Sequence, residues 1–247
     1  MNAESRLVRW AVVGVCMLVV WAGMVGANPV NWTGTVGDWS TPGNWNPGVP
    51  GNGDDVTIGA GKTAILSSTS ANLGSLTLSG TLLFTNWTTS LTATNVTIQS
   101  GGNMTHPLCN TNPVVSNTNR VYVTCSNLTV QSGGSIDVTA KGYAGADGKD
   151  GQGPGGTASG YRYGGAGYGS VGGAGKAAGG GPMYGSITAP TDLGSAGGAA
   201  ATGYIGGHGG GAIRIQATGK VTVNGSVAAD GSTGMLRGNA PRESRNG

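Results

Sequence analysis

Val56-Thr57-Ile58, Leu76-Thr77-Leu78, Val96-Thr97-Ile98, Leu128-Thr129-Val130 and Val221-Thr222-Val223 are five copies of one short pattern, apolar-Thr-apolar. Each copy runs into a turn: Gly59-Ala60-Gly61, Ser79-Gly80, Gln99-Ser100-Gly101-Gly102, Gln131-Ser132-Gly133-Gly134 and Asn224-Gly225. The first three copies stand twenty residues apart. A motif that returns at such a period signals stacked repeats, in which one unit cannot bury its apolar face but its neighbours can. Successive side chains of a strand face opposite sides, so Val56 and Ile58 point inward and Thr57 outward, and likewise in the other copies. Piling the copies up aligns the apolar residues in columns, and each buried aliphatic side chain contributes about 1.5–3 kcal/mol.

Further strands are expected at Ala64–Leu66, Thr81–Phe84, Ser135–Val138 and Ala212–Ile215. A coil of twenty residues has no room for a crossover helix. The glycine after each strand is expected to turn the corner with positive φ. The fold predicted is all-β, a right-handed parallel β-helix with a Trp-rich N-terminal cap and a long Gly-rich insertion. An antiparallel β-sandwich also spaces strands by turns, but it does not explain one motif at a fixed period.

Composition agrees. The chain has 247 residues, 51 of them Gly, and only 9% are charged. Gly costs about 1 kcal/mol per helix position, while the plentiful Val, Ile and Thr favour strands. Thirteen Lys and Arg against ten Asp and Glu leave no basic stripe, so nucleic acid is set aside.

The ends give an address. Arg6 and Arg9 precede an apolar run, Ala11–Met24, and Val25-Gly26-Ala27 fits a small-x-small cleavage site. Residues 1–27 read as a signal peptide and the mature chain as secreted or held at the cell surface, without a membrane span. An uncleaved anchor is the alternative, at the lower edge of spanning length. Residues 28–55 read as the cap, 56–141 as β-helix turns, 142–211 as the insertion, 212–231 as a further turn and 232–247 as a disordered or truncated tail.

In the cap, Trp32, Trp39 and Trp45 alternate with Pro and Gly. They are expected to cover the open end of the stack, which otherwise exposes bare core and unpaired strand edges. The alternative is a platform of exposed rings for stacking sugars. The order W…W-S…N-W-x-x-G-x-P…D-D-V-x-I, then L-T-L-S-G and N-V-T-I-Q-S-G-G, resembles the start of secreted bacterial β-helix surface proteins, autotransporter passenger-like ones included. The Gly-rich stretch, with G-G-H-G-G-G-A-I-R-I behind it, resembles an insertion of such proteins. The resemblance implies a surface-exposed parallel β-helix and brings no catalytic residues with it.

The insertion holds 28 Gly in its 70 residues, together with Tyr143, Tyr161, Tyr163, Tyr168, Tyr184 and Tyr204. Gly does not recur at every third position, so a collagen triple helix is excluded. No phosphate-cradling Gly motif stands between a strand and a helix. A compact flap presenting Tyr161, Tyr163 and Tyr168 to a glycan or partner is one reading, and a flexible low-complexity segment is the other.

Candidate chemistry is sparse. Asp147 and Asp150 could offer oxygen ligands to calcium, the one cofactor the sequence suggests, although their spacing matches no EF-hand loop. Cys109 and Cys125 remain after signal removal, and an exported protein invites a disulfide between them. It would close a loop of about 17 residues and add roughly 3 kcal/mol. A hydrolase needs two facing carboxylates, with Asp137, Asp192 and Asp230 as candidates. A lyase would draw on Lys141, Arg214 or His208. No catalytic centre is assigned. The function expected is a structural or adhesive exported surface protein that binds polysaccharide or cell-surface components. The alternative is a carbohydrate-active β-helix enzyme, a lyase or a glycoside hydrolase.

Overall fold

The computed structural model describes residues 27–109, 118–157, 164–175, 179–199 and 202–236. Residues 1–26 of the expected signal peptide 1–27 lie outside them. The strands begin with β1 (Pro29–Trp32), β2 (Val36–Asp38), β3 (Trp45–Asn46), β4 (Asp55–Ile58), β5 (Thr63–Leu66), β6 (Asn72–Leu78), β7 (Thr81–Phe84) and β8 (Leu91–Ile98). They continue with β9 (Asn103–Thr105), β10 (Val121–Val130), β11 (Ser135–Asp137), β12 (Tyr204–Ile205), β13 (Ile213–Ala217), β14 (Val221–Val223), β15 (Ser226–Ala228) and β16 (Met235–Leu236). A single 3-10 turn, Pro42–Asn44, precedes β3.

The protein is all-β with parallel sheets. One sheet runs β13-β10-β8-β6-β4-β1-β3, with β14 also paired to β10, and a second runs β15-β11-β9-β7-β5-β2. From β4 to β11 the chain alternates between the two sheets, and each strand lies parallel to the one laid down a coil earlier. The five copies of the sequence motif fall in one register. Val56 pairs with Leu76, Leu76 with Val96, Val96 with Leu128 and Leu128 with Val221. Ile58, Leu78, Ile98 and Val130 form the parallel column and are fully buried. The second sheet supplies Ala64, Leu66, Leu82, Phe84, Met104 and Ile136 to the same core. Val221, Val223 and Val227, in the last coil, are 48%, 47% and 42% exposed.

The outward faces are held by side-chain rungs between coils. Ser75 donates to Asp55 at 2.6 Å, Ser79 to Gln99 at 2.6 Å, Asn127 to Asn95 at 2.9 Å and Ser135 to Asn103 at 3.1 Å. The corner glycines act in two ways. Gly101 and Gly133 take φ of 80° and 78° as expected. Gly102 does not; a Cβ there would lie 2.2 Å from the Leu78 carbonyl oxygen, so close approach of coils, and not backbone sign, demands that glycine.

The tryptophans are interior. Trp32, Trp39 and Trp45 are only 2%, 4% and 5% exposed, and Trp45 meets both others edge-on at 4.8 and 4.7 Å between ring centroids. The Trp45 indole N–H donates to the Trp39 carbonyl at 2.6 Å, and the Lys62 ammonium donates to the Trp32 carbonyl at 2.7 Å. Rings enclosed in this way have no free faces for stacking sugars.

The chain leaves the stack after β11 and returns at β13. His106 fastens the return. It is fully buried, its Nδ1 lies 2.7 Å from the Pro107 carbonyl, and its Nε2 faces the Ala212 amide at 3.2 Å. An amide can only donate, so Nε2 accepts and Nδ1 carries the proton. Burial, opposed by the Pro107 bond and joined by the charge of Lys141, pushes the pKa of His106 down to about 4. The ring is neutral.

The expected disulfide is absent: Cys109 and Cys125 are both free and buried. Cys125 points into the main core from the middle of β10, between Ala93 and Ala217 in register. Cys109 belongs to a separate cluster with Tyr143, Leu193 and Ala196. The two thiols thus belong to different clusters, and burial raises the pKa of Cys125.

Candidate functional site

The Gly-rich excursion forms an ordered lobe over its described residues, and its hydrogen bonds show how. Gly194 and Gly197 donate to Gly210 and Gly207 on one neighbour. Ala196 and Ala199 donate to Gln152 and Lys149 on a second, and Gly198 donates to Gly164 on a third. Donors three residues apart share a neighbour, and the acceptor number falls by three. That is the three-residue turn of a polyproline-II chain, not the two-residue alternation of a strand. Such a chain has no internal hydrogen bonds, so its backbone groups serve the neighbours on all sides.

Chains bonded through the main chain must touch, and side chains would prevent it. A Cβ on Gly209 would sit 1.8 Å from the Gly194 oxygen, and one on Gly145 1.8 Å from the Gly206 oxygen. Absence of a collagen repeat therefore excluded the triple helix but not three-residue geometry. Here glycines stand where antiparallel neighbours meet, so no strict sequence period results.

The lobe has a small core of its own. Tyr143, Leu193 and Ala196 pack with Cys109, while Trp87 and Ala212 lie against them. Tyr168 and Tyr184 meet edge-on at 4.9 Å. The Tyr184 hydroxyl donates to the Leu193 carbonyl, and burial pushes its pKa up to about 12, so it stays protonated. The Ser195 hydroxyl accepts the Gly155 amide at 2.8 Å in the interior.

Between these chains opens a cleft of about 970 Å³. Glycine main chain makes up most of its wall, and Tyr168, Asp192, Tyr204, His208, Ser232 and Met235 add side chains. The Tyr168 hydroxyl accepts the Asp192 amide at 3.4 Å. One rim is β12 paired antiparallel with β16, Tyr204 opposite Leu236 and Ile205 opposite Met235. Ser232 and His208 exchange bonds, His208 N–H to the Ser232 hydroxyl and Ser232 N–H to the His208 carbonyl, both at 2.9 Å. Residues 232–236, expected in the tail, are thus part of the site; 237–247 lie outside the described residues.

Of the aromatic residues singled out from the sequence, Tyr168 lines the cleft, while Tyr161 and Tyr163 lie outside the described residues. Asp147 accepts the Gly203 amide at 2.7 Å and braces the loop leading into β12, beside a bridge to Ile205. Among the described residues no group of three or more His, Cys, Asp or Glu is placed to hold a metal ion. The residues considered for catalysis are dispersed. His208 and Asp192 line the cleft, Lys141 stands near His106, Arg214 lies against Tyr122, and Asp137 accepts the Thr139 amide at 2.9 Å. Sequence reasoning missed Tyr204, Ser232 and Met235. The pairing of β12 with β16 that brings them together leaves no local signal.

Fold and cleft together define an all-β protein of parallel strands in register that carries a glycine-built side lobe with a large hollow. Residues 44–119 match the model of the G8 domain family, a stretch that takes in β3 to β9 and spans less than half of the chain. No curated protein and no solved structure matches the chain.

Proposed function

We propose that this chain is an exported structural and adhesive surface protein that holds a glycan in the cleft of its glycine-built lobe without turning it over. One observation carries the reading. The cleft offers main-chain donors and acceptors, two tyrosines and a single carboxylate, Asp192. Ligand sites combine an extended apolar or aromatic wall with a few oriented polar groups, and this wall does so with very little charge. Glycosidases pair two carboxylates about 5–9.5 Å apart, and the lining holds one.

The body reads as a right-handed parallel β-helix. Its parallel strands in register support this, and so does the handedness rule for parallel crossovers. The apolar run Ala11–Met24 before Ala27 supports export to the secreted or cell-surface compartment. No helix among the described residues is long and apolar enough to cross a membrane. The likeness to secreted β-helix surface proteins belongs to the same reading.

The test is affinity electrophoresis of the purified protein through gels containing neutral polysaccharides. Tyr204→Ala and Tyr168→Ala variants run alongside, and product formation is followed by reducing ends and by unsaturated-product absorbance. Retardation that both variants abolish, without product, is expected. Steady turnover of any polymer would overturn the non-catalytic reading, and retardation unchanged in both variants would remove the cleft from it.

A further inference from the structure

Away from the cleft, on the outward face of the larger sheet, four side chains form a continuous stack. The Arg120 guanidinium lies 4.8 Å from the centroid of the Trp87 ring and 4.6 Å from that of Tyr122. The Arg214 guanidinium lies 4.9 Å from the same Tyr122 centroid. Strand register puts Tyr122 of β10 directly beside Arg214 of β13, so the sheet itself sets the spacing. The Tyr122 hydroxyl donates to the Gln216 side chain one outward position further along β13.

Two cations around one ring repel each other. The centroid distances allow the guanidinium carbons to be at most about 9.5 Å apart. Burial, then the charge of Arg214, lowers the pKa of Arg120, although arginine stays protonated at any working pH. Among the described residues neither arginine has an ion pair, and the Arg120 Nε–H is buried with no acceptor. An aromatic face satisfies the π-surface of a guanidinium but none of its N–H groups, which lie in the guanidinium plane and fit carboxylate or sulfate oxygens. The nearest comparison is Asp38, whose carboxylate is taken by Ser40 and Ser67 and not by a cation. Two positive groups are thus held together without an acidic partner among the described residues, and the outer N–H groups of both remain available to an external anion.

We infer that the Trp87–Arg120–Tyr122–Arg214 stack is a binding site for an acidic polysaccharide, whose carboxylate or sulfate groups bridge the two guanidinium edges. The surroundings favour a sugar polymer over other polyanions. Alongside the stack the sheet presents neutral hydroxyl and amide groups in register, Thr92 beside Thr124 and Thr124 beside Gln216, which suit sugar hydroxyls. Two cations can bridge one or two anionic groups of a sugar chain, whereas nucleic acid binding draws on an extended basic stripe that this chain lacks. This site is separate from the cleft and does not depend on it.

The experiment is a titration of the full chain with polygalacturonate, dextran sulfate, fully methyl-esterified polygalacturonate and poly-glutamate, read by isothermal calorimetry. The variants are Arg214→Gln, exposed and thermally checked for folding, Arg120→Gln and the cleft variant Tyr204→Ala. Binding to at least one acidic polysaccharide is expected, weakening as salt rises toward about 0.3 M, with the ester at least tenfold weaker. Arg214→Gln should cost about tenfold, Arg120→Gln at least as much, and Tyr204→Ala nothing. If only polygalacturonate or only dextran sulfate binds, the inference stands and the anion is fixed as carboxylate or sulfate. Equal affinity for polymer and ester, no loss in folded Arg214→Gln, or tighter binding to poly-glutamate than to either polysaccharide would overturn it.

Discussion

Acidification should loosen this protein through His106. The ring is fully buried, with Nδ1–H on the Pro107 carbonyl and Nε2 accepting from Ala212, so both nitrogens are used in the neutral form. A proton on Nε2 would meet the Ala212 amide head-on, with Lys141 adding like charge. In the folded chain the pKa is held down to about 4, against an ordinary value of 6.5. Between those values the unfolded chain binds a proton that the folded chain refuses, so the stability this group provides is whole above pH 6.5 and is lost as pH falls toward 4. At about 1.4 kcal/mol per decade, the loss reaches about 1.5 kcal/mol near pH 5.5 and about 2.5 kcal/mol near pH 4.5. Urea unfolding followed by the fluorescence of the buried tryptophans, repeated over this range, gives the curve. His106→Gln lacks the titrating group and should begin about 1–3 kcal/mol less stable at pH 7, then fall less steeply than the parent. Subtracting the two curves removes the carboxylates, which titrate in both. Parallel curves would refute the reasoning, since the pH dependence would then come from elsewhere.

Two further outcomes follow from the packing. Gly209→Ala places a methyl group 1.8 Å from the Gly194 oxygen, whereas Gly173→Ala meets nothing within 4 Å; the first should lower the thermal midpoint by several degrees or prevent the lobe from folding, the second should leave it within about a degree, and equal effects would contradict the close-packed lobe. Because Cys109 and Cys125 are free, reductant should not change the unfolding midpoint and denatured protein should titrate two thiols in the chain after Ala27; a midpoint that drops on reduction would show a bridge.

The sequence alone determined the all-β class and which strands pair in parallel. The motif from Val56 to Val130 states which side chains are buried and which strands lie side by side, because a strand alternates its faces and parallel neighbours repeat their register; its last copy departs, with Val221 and Val223 half-exposed where burial was expected. The burial of Trp32, Trp39 and Trp45 was legible for the same reason: large rings beside the first repeat have one apolar surface to cover. The lobe was not legible. Its order rests on main-chain bonds among chains such as 194–199 and 205–211, and glycine carries no side chain by which sequence could say who its neighbour is. The tertiary structure alone decided that Cys109 and Cys125 point into different cores, that Tyr168, Tyr204 and Ser232 share a hollow, and that Arg120 and Arg214 flank Tyr122. Each is a meeting of residues far apart in the chain, fixed by where long excursions leave and rejoin the sheets rather than by any local preference.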